Sequence, residues 1–77
     1  MAHRLTGTVK WYNRRGGFGF IMPDGADHSL FVDLDSILGD GSRALTEGER
    51  VEFSTRFTSR GPRADRVVRL GAVMASD

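Results

Sequence analysis

Phe18 and Phe20 flank a single glycine in the run Gly16-Gly17-Phe18-Gly19-Phe20-Ile21, and Phe31 stands a little further on in Leu30-Phe31-Val32-Asp33-Leu34. Trp11 and Tyr12 follow Lys10 at the start of the same region. A flat ring can either fill a core or offer its π-face to another flat or cationic group. The cations to accompany such faces are present, and all but Lys10 among the 11 basic residues are arginine. Arginine both stacks on rings and forks onto phosphates. Rings are costly to keep out of a core this small. A chain of 77 residues buries only about 60% of its unfolded surface, and each Phe fully buried would contribute roughly 1.5–3 kcal/mol.

Other chemistries are poorly supported. Asp24, Asp27, His28, Asp33 and Asp35 fit no EF-hand or HExxH spacing, and Pro23-Asp24-Gly25 is ordinary turn chemistry. His3 and His28 have no nucleophile motif beside them, and Gly17-x-Gly19 opens no helix that could cap a phosphate. There is no cysteine, so no disulfide or thiolate metal site can reinforce the fold. No metal, cofactor or small-molecule substrate is expected, and no enzymatic activity. The N-terminus has no apolar targeting core and no run approaches a membrane span. The expectation is a soluble, cytoplasmic domain away from membranes.

The formal net charge is only +1, but its distribution is uneven. No Lys or Arg occurs between Gly16 and Ser42, while Asp24, Asp27, Asp33, Asp35 and Asp40 do. The cations gather in Arg4, Lys10, Arg14 and Arg15 and again in Arg56, Arg60, Arg63, Arg66 and Arg69. Turn signals recur at 23–25, 39–41, 47–48 and 60–62, with short β-branched and aromatic runs between them. These predict strands over 5–13, 17–22, 29–34, 50–57 and 64–70. Residues 35–48 form one long connection, with Asp35 as the N-cap of a single helical or 3₁₀ turn. Residues 1–70 are expected to form the domain and 71–77 a flexible tail. The fold class expected is all-β, a small five-stranded antiparallel OB-type barrel whose edges are paired away.

Strand alternation then places Phe18 and Phe20 on one face with Gly19 and Ile21 on the other. Leu30, Val32 and Leu34 share an inner face, leaving Phe31 beside Asp33 outside. Gly19 leaves room for a bend or for a closely approaching neighbour. Trp11 shares parity with Val9, so it is either core or turned outward by a bulge. Val51 and Phe53 read as core, Phe57 as reaching the rim, and Val67 and Val68 cannot both face inward without a bulge.

Lys10-Trp11-Tyr12-Asn13, Gly17-Phe18-Gly19-Phe20-Ile21, Leu30-Phe31-Val32, Leu45-x-x-Gly48, Val51-x-Phe53 and Gly61-Pro62-x-Ala64-x-x-Val67 together resemble the bacterial cold-shock domain family, in order and at family spacing, from about Leu5 to Leu70. The resemblance implies an OB-type barrel that binds single-stranded RNA and DNA through two motifs, residues 16–21 and 30–34. It implies an RNA chaperone or a regulator of transcription or translation. By position, Lys10 would touch the nucleic-acid backbone and Trp11 would stack, which favours the bulge. Tyr12 stands where Phe is usual and would keep a ring, Phe18, Phe20 and Phe31 would form the platform, and Arg60 would supply a basic contact.

The chain departs from the family pattern at four places. Gly16 replaces a basic residue, Asp33 and Leu34 replace His and Phe, and Ser42 replaces a loop aromatic. With these stacking or hydrogen-bonding groups missing and Asp33 repelling phosphate, binding is expected to be weaker and more salt-sensitive than is typical of the family, partly offset by Phe57 and the arginines of 56–69. The alternative function is a protein-binding OB module with its nucleic-acid affinity reduced. The expected oligomeric state is a monomer or a weak, strand-exchanged dimer.

Overall fold

The computed structural model describes residues 4–39 and 43–71 of the chain. Five strands follow in order: β1 Leu5–Asn13, β2 Phe18–Pro23, β3 Leu30–Asp33, β4 Arg50–Thr58 and β5 Gly61–Arg69. A 3₁₀ turn over Leu34–Ser36 follows β3. The strands close into a barrel in the order β1-β2-β3-β5-β4. The β1–β2, β1–β4, β2–β3 and β4–β5 seams are antiparallel, and the β3–β5 seam is parallel, through Phe31 opposite Arg63.

Alternation puts one side chain in two inside the barrel. Val9, Ile21, Val32, Val51, Phe53, Ala64 and Val67 form the core, joined from the connection by Ile37 and Leu45. Leu30 packs against this cluster from its margin. Leu34 does not continue the inner face of β3 as expected, and is exposed. The strand ends at Asp33, and Leu34 turns into the 3₁₀ segment while its amide bonds to the Gly17 carbonyl at 2.9 Å. The N-cap of that turn is Asp33 and not Asp35, and no side chain caps its amides.

Two bulges explain the parities that simple alternation leaves unresolved. In β1, Val9 pairs with Ile21 but Trp11 pairs with Phe20, so Lys10 is an extra residue. Trp11 therefore faces out although Val9 faces in. In β5, Val68 pairs with Glu52 and Asp65 with Ser54, leaving two β5 residues opposite Phe53. One of them, Arg66, takes a left-handed φ of 50°, and this lets Ala64 and Val67, three apart, both point inward. Val68 is left exposed.

β5 begins at Gly61, three residues earlier than expected. The turn is confined to Ser59-Arg60, closed by Thr58, whose hydroxyl donates to the Gly61 carbonyl at 2.9 Å and accepts from the Arg60 amide at 3.1 Å. Gly61 and Pro62, read as turn residues, are strand residues paired with Thr58 and Phe57. Residues 40–42 of the long connection and 72–77 of the expected tail lie outside the described residues, as do Ser42 and His3.

Candidate nucleic-acid interface

Register builds the outer face. Directly opposite residues of an antiparallel pair share a face, and β1–β2 and β2–β3 bring Trp11 opposite Phe20, Asn13 opposite Phe18, Phe20 opposite Phe31 and Phe18 opposite Asp33. Each of the four rings meets two of the others. Trp11 lies 6.1 Å from Phe20, nearly parallel at 28°, and 5.6 Å from Phe18, edge-on. Phe31 lies 5.9 Å from Phe18 with planes 18° apart, and meets Phe20 edge-on at 5.8 Å. Trp11 is 45% exposed, while Phe18, Phe20 and Phe31 are half-buried, each ring shielding the next. The result is a continuous aromatic sheet on the outside of the barrel.

Tyr12 does not belong to this face, which corrects the expectation that it keeps a stacking ring there. It pairs with Gly19, on the opposite side of the same strands, and packs against the core cluster. Gly19 is buried and makes space for it: a Cβ on Gly19 would meet the Trp11 carbonyl oxygen and come within 2.7 Å of the Tyr12 ring. The glycine between the two Phe residues thus serves the inner face while they serve the outer. Gly16 has a similar relation to Phe18, since a Cβ there would sit 2.5 Å from the Phe18 ring. The Phe18 ring thus takes the space that a side chain at Gly16 would need.

Asp33 is on the outer face but is not a bare anion. Its Oδ2 pairs with Arg63 Nη2 at 3.0 Å, and its Oδ1 accepts from the Ser36 hydroxyl at 3.1 Å. Arg63 in turn lies over the Phe31 ring, its guanidinium carbon 4.3 Å from the centroid. Sequence alone groups Arg63 with the other arginines of its strand. Its individual position depends on the parallel seam that sets it beside Phe31, and no local signal reports that seam.

Arg60, at the β4–β5 turn, joins Phe31, Pro62 and Arg63 around a shallow cavity of about 240 Å³. Phe57 is 80% exposed near the same hairpin end. Lys10 is exposed at the β1 bulge. Register and contacts thus join Trp11, Phe18, Phe20, Phe31, Asp33 and Arg63, and Arg60 meets Phe31 across the cavity. Phe57 stands apart from the ring cluster, and Tyr12 is turned away from it.

Of the acidic residues weighed for metal chemistry, Asp24, Asp27 and Asp33 are engaged by other side chains. Arg50 forks onto both Asp24 oxygens at 2.7 Å, the Thr6 hydroxyl donates to Asp24 at 2.6 Å, and Asp27 pairs with His28. Among the described residues no group of three or more His, Cys, Asp or Glu could hold a metal ion, and no helix is long and apolar enough to cross a membrane.

Comparison with known proteins agrees with this architecture. Residues 5–70 match the family described as 'Cold-shock' DNA-binding domain. Cold shock-like protein CspA of Vibrio cholerae is 41% identical over 70 residues, covering 91% of this chain and all of that protein. Cold shock-like protein CspG of Escherichia coli is 44% identical over the same shares, and cold shock-like protein CspE of Bacillus anthracis is 47% identical over 66 residues, 86% of this chain and 97% of that protein. The solved structure of drosophila Unr CSD456 superposes with a TM-score of 0.75 at 27% identity, over 95% of this chain and 30% of that one.

Proposed function

The chain belongs to the cold-shock DNA-binding domain family, a nucleic-acid-binding and non-enzymatic family, and from that premise we propose that it holds single-stranded RNA and DNA on the ring-bearing face, as an RNA chaperone or a regulator of transcription or translation. Trp11, Phe18, Phe20 and Phe31 stack on unpaired bases, each base contributing roughly 1–3 kcal/mol with little regard to its identity. Lys10 and Arg60 neutralise phosphates, and Phe57 offers one further ring to a strand long enough to reach the β4–β5 hairpin. Tyr12 supports the sheet from behind. Binding the unpaired form shifts a hairpin toward its open state by mass action, with no nucleotide hydrolysis.

The observation that supports this reading is the four-ring cluster at 5.6–6.1 Å spacings on the outside of a closed barrel. Packing alone would have sent those rings inward. Asp33 and Gly16 reduce the positive potential along the face, so affinity below that of relatives with basic or neutral groups there is expected.

Trp11 fluorescence on adding a short oligo-dT at two salt concentrations tests the proposal. Saturable quenching that weakens with salt is expected, and Phe18→Ala or Phe31→Ala should weaken binding by about 5- to 150-fold, the equivalent of one lost stack. Absence of quenching at both salts would sink the nucleic-acid reading and favour a polypeptide partner for the same face.

A further inference from the structure

Arg63 holds two contacts that a bound strand would contest. Its guanidinium lies 4.3 Å from the centroid of Phe31. Non-bonded carbon atoms settle about 3.5–4.0 Å apart, so no base fits between that cation and that ring face. Its Nη2 is meanwhile bound at 3.0 Å to Asp33 Oδ2, the kind of charged oxygen that a phosphate would also present. Ser36 fixes the carboxylate from the other side at 3.1 Å. Arg63 and Asp33 are only 26% and 33% exposed at their side chains, so this pair is less screened than a fully solvated one.

We propose that Arg63 is a nucleic-acid contact residue held in reserve: in the free protein Asp33 keeps its guanidinium over Phe31, and on binding a base takes the ring while the guanidinium passes from Asp33 to a phosphate. This deepens the function proposed above and rests on it. Shared cavity walls support the exchange, since Phe31, Arg63, Arg60 and Pro62 line one cavity and so place the ring and both cations side by side. A charge argument follows. When Arg63 trades one anion for another, it neutralises a phosphate but uncovers Asp33, so it adds almost nothing to counterion release. The wild-type chain therefore behaves as though it had one cation fewer than its sequence shows.

A double-mutant cycle of Asp33→Asn and Arg63→Gln, titrated with oligo-dT at several salt concentrations, separates this from simple repulsion by Asp33. With Arg63 present, Asp33→Asn should tighten binding about two- to fivefold, the scale of a partly exposed ion pair, and steepen the log–log salt slope by about 0.7, one phosphate contact on a single strand. In the Arg63→Gln background the slope should not steepen, since no cation is freed to meet a phosphate. Equal steepening in both backgrounds would show that Asp33 acts on phosphate directly, and no steepening in either would show that it restrains nothing; both outcomes overturn the proposal.

A second measurement is independent of binding. In the ligand-free protein, the Arg63 side-chain proton signals should be displaced upfield by the Phe31 ring, and Asp33→Asn should move them toward solvent values. Undisplaced signals in the free wild type overturn the exchange even where the oligonucleotide binds. A wild type that shows the displacement but binds no oligonucleotide contradicts the function proposed above and the phosphate transfer alike, leaving only the resting contact.

Discussion

Tyr12 shows how one atom separates packing from function. Its hydroxyl is buried with no hydrogen-bond partner among the described residues. Burial, and then the charge of Asp33, push the phenol's pKa up, against smaller opposing effects of Arg14 and Arg43. A buried hydroxyl without a partner costs about 1–3 kcal/mol. Tyr12→Phe is therefore expected to raise stability by about 1 kcal/mol in urea unfolding, keeping the ring that fills the space beside Gly19. Oligo-dT affinity should stay unchanged, because the ring lies behind the face that carries Trp11, Phe18 and Phe20. A loss of stability would mean that the oxygen has a partner after all, and a loss of affinity would return Tyr12 to the outer face. The sequence identifies Tyr12 as an aromatic beside Trp11 but cannot give its facing, because that depends on the residue at which the strand slips.

At the scale of strands, the slip is the design. The aromatic pairs of β2 and β3 were readable from alternation, since Phe18, Phe20 and Phe31 lie in regular stretches whose alternate positions, Gly19, Ile21, Leu30 and Val32, are small or aliphatic. Trp11 and Val67 were not, because a bulge inverts parity and leaves no composition signal beyond two apolar residues of conflicting phase. Both bulges are settled by partners distant in sequence, Ile21 and Phe20 for β1, Glu52 and Ser54 for β5. Gly19 is the element-level hinge of the site, because Trp11 and Tyr12 cross it with no room for a methyl group. Gly19→Ala should therefore destabilise the barrel by roughly 1–3 kcal/mol, the scale of overpacking. Affinity should fall by more than the folded fraction accounts for, since the strand carrying Trp11 must shift against the strand carrying Phe18 and Phe20. Normal stability, or a loss of affinity fully explained by unfolding, would show that the two strands are not so tightly coupled.

For the whole molecule, the ring-bearing face removes four large side chains from a domain with a thin core, and contacts elsewhere must help to hold the barrel shut. The order of the strands was foreseeable only as a closed five-stranded set; the parallel β3–β5 seam, and with it the place of Arg63, depends on Phe31 and Arg63 meeting from segments far apart in sequence. On the β1–β4 side, Asp24 after β2 receives the Arg50 fork and the Thr6 hydroxyl, and Arg50 also donates to Thr8 at 3.0 Å, so one cluster joins β1, β4 and the turn after β2. Hydrogen bonds from Arg50, then from Thr6, hold the Asp24 carboxyl well below the usual carboxylate range despite some opposing desolvation. A group that binds its proton less readily folded than unfolded stabilises the fold above its unfolded pKa, about 3.9 for Asp, and loses that contribution as pH falls toward the depressed folded value. Asp24→Asn should accordingly lower the urea midpoint at pH 7, and the gap between variant and wild type should narrow steadily below about pH 4. Oligo-dT affinity should be the same for both proteins at pH 7, because this cluster is formed by residues separate from the ring face. A gap that persisted unchanged to low pH would show that Asp24 acts through its shape and hydrogen bonds alone, and that its charge contributes nothing to closing the barrel.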